Sequence, residues 1–417
     1  MNRLGQFWRA ATKVFALPQR LRVLRDHRVD PEIAPAVLFG ALLLGALLRV
    51  PSFLQLQKET ARRGYQRLLQ WPHAISDDAL AYGVAHADLG QLRSLLVGVN
   101  QTLKQNKALE AAKIHGLLVV AIDANEQFAS RARCCADCAQ RQVTVLDATG
   151  QRQEVTEYYH RQVYAHMHGP NLNIILDLEP LRPGEEEAHA ALRLLGRLRR
   201  LYGPRFFDVV TVDAWYTTGP FLRAVQKLGW GVVSVLKQER YEVYQETTAL
   251  LPAQTVRHWQ WQERQVDLWE VNHLTFTEAQ GPVRVVVAEE SWSEVKRLAG
   301  QKRVVAKQSS WRWVATRELD GYDATVIWRI GHQRWGVENY AFNELTQYYH
   351  LEHCPHHEPT AIVAWLLILV LGFVLFEWFA RLHSKLWRAE RESLQEAARQ
   401  LDLALARWEE LTPLWSG

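Results

Sequence analysis

Two short apolar runs, each ending in an aspartate, constrain this chain more than any other feature. LLVVAID covers residues 117–123 and FFDVVTVDAWY covers 206–216. Each apolar run is the length of a buried strand and is too short for a core helix. Between and after them the pattern alternates. NLNIILDLEPL is a strand, EEEAHAALRLLGRLRRLYG (185–203) an amphipathic helix, PFLRAVQKLGW a helix and GVVSVLK a strand. That helix carries acids at its start, arginines near its end and Gly203-Pro204 as a stop, as its dipole and its termination require. Strands separated by helices predict an α/β fold with a sheet at its centre.

The remainder divides by composition. With 417 residues, at roughly 100–200 residues per domain, two to four units are expected. Residues 1–110 read as a helical N-terminal domain, with Ser76, Asp77 and Asp78 as a helix start and Arg62, Arg63 and Arg67 as a basic patch suited to DNA or simply to solvent. Residues 111–237 hold the alternating strands and helices. Residues 238–320, rich in Trp, Val and Thr, read as an inserted β-rich subdomain of antiparallel strands. Residues 321–380 return to helix, and 381–417 form a charged amphipathic helix.

Two apolar stretches, Ala34–Val50 and Ala361–Phe376, fall short of the ~20 residues of a membrane span. They are expected as buried core helices, with no membrane partner. A net charge of +4 permits a nucleic-acid partner without demanding one. Four cysteines and no secretory signal place the chain in a reducing cytoplasm.

Chemistry concentrates in three acids. Asp123 and Asp213 stand at the carboxyl ends of apolar strands, where α/β sheets place their sites. Glu338 falls on a helical stripe with Trp335, Phe342, Leu345 and Tyr349, which predicts an inward-facing carboxylate. A buried carboxylate needs a cation, a donor or a metal. Each acid alone is also explained as a turn former, a cap or a partner of Arg334 one turn away. Together they can share hard divalent cations such as Mg²⁺, which favour oxygen ligands.

The order strand-Asp, strand-Asp, β-rich insertion, helix-Glu resembles the DDE transposases of bacterial insertion sequences. The stretch QRWGVENYAFNELTQYYHLEH (333–353) is similar to the family's segment around its glutamate. VTVDAWYTTGPFLRAVQKLGWGVVSVLK (210–237) and AIDANEQFAS (121–130) are similar to the segments of its two aspartates. The likeness spans roughly residues 30 to 380. It implies an RNase H-like mixed-sheet core flanked by helices, a β-rich insertion before the glutamate and a helical N-terminal domain. It also implies Asp123, Asp213 and Glu338 as catalytic ligands of Mg²⁺ (or Mn²⁺), with Arg334 as a phosphate contact.

On that reading the chain binds double-stranded DNA, both terminal inverted repeats and target. It hydrolyses phosphodiester bonds and transfers strands, as a homodimer on DNA, in the bacterial cytoplasm at the nucleoid. An RNase H-like nuclease, or a domesticated DNA-binding protein, is the alternative. Two family positions differ: Gly331 stands where a Tyr is frequent and Leu345 where a Lys is frequent.

Indoles flank the acids. Trp215 and Tyr216 follow Asp213, and Trp335 precedes Glu338, so all three are candidate DNA contacts by stacking or through phosphate. The insertion interleaves Arg257, Trp259, Trp261, Arg264, Trp311, Arg312 and Trp313, a pattern that suits either DNA backbone or cross-strand packing. Cys135 and Cys138 form a C-x-x-C, and HLEHCPHHEP lies far downstream. With His353 and Cys354 as the second pair, a structural Zn²⁺ site is predicted.

Overall fold

The computed structural model describes residues 3–147, 149–298, 301–383, 394–406 and 413–415. Among the described residues ten strands form one sheet: β1 (Val119–Ser130), β2 (Ala139–Leu146), β3 (Arg152–His168), β4 (Asn173–Pro180), β5 (Val209–Val212), β6 (Gly231–Val235), β7 (Arg257–Trp261), β8 (Arg264–Leu274), β9 (Val283–Leu298) and β10 (Gln301–Thr316). Their order is β2-β3-β1-β5-β6-β10-β9-β8-β7, and β4 also pairs with β3. β3 runs antiparallel to both β1 and β4, while β1, β5 and β6 are mutually parallel. Three antiparallel strands continued by two parallel ones form the RNase H-like mixed core.

Helices on the faces bury these strands. Val119–Ile122 are all buried, as are all residues of β5 and β6, which is why they read as continuous apolar runs rather than alternating ones. The helix Glu187–Tyr202 buries Ala190, Ala191, Leu194, Leu195 and Leu198 as one stripe and lies against β3 and β4. The helix Gly219–Lys227, capped by Thr218, connects β5 to β6.

The segment expected as a separate subdomain makes no sheet of its own. β10 pairs with β6 in the register Trp313↔Val235, and β9, β8 and β7 extend the same sheet outward. Its tryptophans are used largely in packing. Trp259 and Trp261 meet Trp328 of the helix Ala324–Gln333, and Trp311 stacks on Trp313. Arg264 lies over Trp292, Arg312 over Tyr244, and Arg257 pairs with Asp323. A second apolar core forms there beneath the helix.

The leading helices share one apolar core with the central sheet. Ser76 caps the helix Asp77–Ala85 by accepting from the Ala79 amide, as its sequence predicts. Arg62 is engaged by Glu59 and Asp402. The helix Pro359–Trp378 runs through the centre, against Pro35–Leu47, Asp77–Ala85, Leu89–Gln105 and β4. With its continuation to His383 it is the one described helix long and apolar enough to cross a membrane, but 89% of its most apolar stretch is buried inside the protein. A helix apolar on all sides is stable there as the core of a larger body. The expected C-terminal helix is described over Leu394–Ala406; residues 384–393 and 407–412 lie outside the described part.

Candidate active site

The pairing of β1 with β5 sets two of the acids side by side. Ala121 is in register with Thr211, so Asp123 and Asp213, each two residues further on, point to the same face. Asp213 follows the last residue of β5, whereas β1 runs on past Asp123 to Ser130 against β3, so the expected strand end at Asp123 is instead the point where β1 parts from β5. Asp123 accepts from the Ala124 amide at 2.9 Å, and Asp213 caps the short turn Ala214–Tyr216 by accepting from the Trp215 amide at 2.9 Å.

The third acid arrives from across the site. The helix Ala324–Gln333 leads into a π-helical turn, Val337–Phe342, before α-helix resumes at Asn343–Tyr349. Arg334 Nη1 donates to Asp123 Oδ2 at 3.1 Å and to Glu338 Oε1 at 2.9 Å. One nitrogen shared by two carboxylates holds their oxygens within roughly 6 Å of each other, a separation that one or two divalent ions can bridge. Asp123, Asn125, Glu338, Asn343, Thr346 and Glu352 line a cavity of about 380 Å³.

Burial pushes the Asp123 carboxyl up to about 7. The Arg334 charge and the Ala124 amide pull it down, and the neighbouring Glu338 and Asp213 charges push it up. Three acids therefore face one another across a site with one buried guanidinium between two of them. Hard oxygen donors in excess of nearby cations fit a divalent ion, and Asp123, Asp213 and Glu338 are the residues that would hold it.

Glu338 corrects one expectation. It does not lie on the apolar stripe: its side chain is 52% exposed, and Trp335 is exposed with it, while Val337, Ala341, Phe342 and Leu345 are buried. The physical reason is the π turn. It inserts one extra residue, and each residue turns a helix by about 100°. Residues before the insertion are thereby rotated off the face occupied by Phe342, Leu345 and Tyr349.

Other candidates separate as clearly. Arg334 is buried and held between the two acids, so it positions carboxylates rather than presenting a free phosphate contact. Tyr216 is 1% exposed and its hydroxyl donates to Glu187, which removes it from any surface. Trp215 is 76% exposed beside Asp213, and Trp335 is 40% exposed with its edge on Trp311. Gly331, where the family frequently carries Tyr, packs against the Trp313 indole, which fills that space.

The π turn is tied down from behind. Tyr340 donates to Glu377, a fully buried acid of the long central helix that also accepts from Arg381. Burial raises the Glu377 pKa, and Arg381, Tyr340 and Asn173 oppose that rise. The tie crosses 37 residues of chain and has no signature in the sequence pattern.

The two C-x-x-C cysteines do not meet the predicted second pair. Cys135 and Cys138 gather with His160 of β3 and His357, while Cys354 turns its thiol to the His356 carbonyl and His353 lies outside the group. His160 went unrecognised because it sits within the alternating strand YYHRQVYAHMH, where a histidine carries no motif.

An RNase H-like sheet with acids on adjacent strand ends and a third on a facing helix defines a phosphoryl-transfer class of fold. Residues 139–375 match the family model of the transposase DDE domain, over half of the chain. The chain belongs to that family, the DDE transposases: it is a DNA transposase, acting by divalent-metal-dependent nuclease and strand-transfer chemistry. The matched segment contains Asp213 and Glu338 and begins downstream of Asp123. Among solved structures, a piggyBac transposase synaptic complex with hairpin DNA is similar at 12% identity and a TM-score of 0.40, covering 97% of this chain and 79% of that one; so low a score supports no argument about this protein. No curated protein matches the chain.

Proposed function

We propose that the protein is the transposase of a bacterial insertion sequence, with Asp123, Asp213 and Glu338 as its catalytic acids. It binds the element's terminal inverted repeats, frees their 3′-hydroxyls and joins them to target DNA as a homodimer in the cytoplasm. The carrying observation is that one shared guanidinium gathers Asp123 and Glu338, distant in sequence, on one cavity, while strand pairing sets Asp213 beside Asp123.

Phosphoryl transfer requires positioning and charge neutralisation more than a protein nucleophile. Mg²⁺, or Mn²⁺ in its place, would activate the attacking oxygen and stabilise the leaving oxygen when held by the three carboxylates. The protein's own groups do the remainder. Arg334 sets the spacing of Asp123 and Glu338, and the Ala124 amide orients Asp123. The open face of Trp215 offers a stacking platform for a base near the scissile bond, and the less exposed Trp335 offers a smaller one.

The test is cleavage of DNA bearing the element's ends, in Mg²⁺, by Asp123→Asn, Asp213→Asn and Glu338→Gln. Each is expected to lose at least about 10³-fold in rate, on the order of 4 kcal/mol of transition-state stabilisation, with end binding intact. Wild-type cleavage rates in all three would end the proposal.

A further inference from the structure

A second cluster, different in chemistry from the acids, gathers two thiols and two imidazoles at one point. Cys135 Sγ and Cys138 Sγ lie 3.7 Å apart, and each is 3.3 Å from His160 Nε2. His357 Nε2 lies 3.3 Å from Cys138 Sγ and 3.1 Å from His160 Nε2. All four atoms fall within 4.8 Å of one another. A zinc ion with Zn–S of about 2.3 Å and Zn–N of about 2.0–2.1 Å needs a tetrahedron with edges of roughly 3.3–3.8 Å. Five of the six edges, at 3.1–3.7 Å, are close to that size, and the sixth, between Cys135 and His357, is at most 4.8 Å.

Competing explanations fit less well. A sulfur separation of 3.7 Å is far outside the ~2.05 Å of a disulfide. Two thiols and two imidazoles packed this tightly make poor hydrogen bonds with one another. Cys138 and His160 are buried, so water does not supply the missing partners. The Asp137 amide donates to the Cys135 sulfur, and the Cys138 amide donates to the Cys135 carbonyl at 3.2 Å. This tight turn presents both sulfurs to one point. The Phe128 ring, 4.8 Å from the His357 ring, covers one side.

We infer that Cys135, Cys138, His160 and His357 bind a structural zinc ion that fastens the segment after the Glu338 helix to the paired strands β1 and β3 and the turn after β1. Four protein ligands close the coordination sphere, which makes the site structural rather than catalytic. Binding releases the two thiol protons to solvent and leaves both imidazoles neutral. The position gives the ion its purpose. Cys135 and Cys138 lie in the turn between β1, which carries Asp123, and β2. His160 lies on β3, which pairs with β1 beside Asp123 in the register Asp123↔Tyr164. His357 stands between the helix Asn343–Tyr349 and the long helix beginning at Pro359. The ion would join the strand half of the active site to the helix half.

The test is elemental analysis of the purified full chain, with cobalt substitution as the second measurement. About one zinc per chain is expected, retained when Asp123, Asp213 and Glu338 are all replaced by alanine, so the outcome is separate from the catalytic proposal. Cobalt is expected to give the intense visible bands of a tetrahedral ion and a thiolate charge-transfer band. Cys138→Ser and His357→Ala are expected to lose the metal, and Cys354→Ser and His353→Ala to keep it. Wild-type protein without zinc and without the cobalt bands would overturn the site. Loss of metal in Cys354→Ser but not in His357→Ala would overturn the ligand set. Should the ligand variants not fold, the wild-type stoichiometry and cobalt spectrum decide alone.

Discussion

Arg334 reaches Asp123 at 3.1 Å across 211 residues of chain, with the same nitrogen that holds Glu338 at 2.9 Å. A single side chain therefore couples the strand acid to the helix acid. Replacing Arg334 by alanine leaves Asp123 beside like charges with no cation between them. Removing one partner of a buried pair costs about 3–5 kcal/mol; with Glu338 half exposed, about 2–3 kcal/mol is expected. Thermal unfolding should show this loss in chelator and a smaller one in millimolar Mg²⁺. An equal loss in both would mean that Arg334 does not act on the carboxylates.

Trp215 tests whether the exposed surface beside Asp213 meets DNA. At 76% exposure it contributes little to packing, so Trp215→Ala should leave the unfolding midpoint nearly unchanged. If a base stacks on it, affinity for DNA ends should fall by about 1–3 kcal/mol. Titration of labelled ends reads this directly, and an unchanged Kd would clear Trp215 of the role.

Gly331 reports on how the Glu338 helix is seated. A Cβ there would come within 2.2 Å of Trp313 Nε1 and 2.5 Å of Cε2, on an indole that is itself 1% exposed. Gly331→Ala should destabilise by about 1–3 kcal/mol through overpacking. Trp313→Phe in the same chain should recover part of the loss, which denaturant unfolding of the double variant would measure.

Asp323 caps the helix that leads to Arg334. Its carboxylate accepts from the Thr325 amide at 2.9 Å and the Thr325 hydroxyl at 2.6 Å, and it pairs with Arg257. Partial burial pulls its pKa up, but the Thr325 hydrogen bonds and Arg257 outweigh this and hold it down at about 2. A carboxyl depressed in the folded state stabilises above its unfolded value of about 3.9 and loses that contribution as pH falls toward the folded value. Asp323→Ala should therefore cost about 1 kcal/mol near neutrality. The gap from wild type should hold constant from about pH 7 to 5 and narrow below about pH 4. A gap that stays constant at low pH would mean the carboxylate charge is not what caps the helix.

The aspartates were readable because parallel strands buried on both faces are continuous apolar runs, and the acid that ends such a run marks the sheet's carboxyl edge. Glu338 was readable as a residue but not as an orientation. Helical periodicity assumes 3.6 residues per turn, and the π turn at Val337–Phe342 breaks it at that position. The insertion's strands were readable from alternation, yet alternation does not say which edge a hairpin joins, and β10 joins β6. For the cysteine cluster, C-x-x-C carried its own spacing. The histidine partners lie 22 and 219 residues from Cys138, and only the β1–β3 pairing and the return of the chain to Pro359 bring them close.

The continuity of the sheet also has a mechanical meaning. β10 is hydrogen-bonded to β6, and β6 to β5 as far as Val212, the residue before Asp213. Among the described residues these strands form one continuous ladder up to the residue before Asp213. A load applied to β9 and β10 would pass through backbone hydrogen bonds to the carboxyl end of β5, next to Asp213. The outer strands are thus stiffly continuous with the strand that leads to Asp213, not hung from it on a loop.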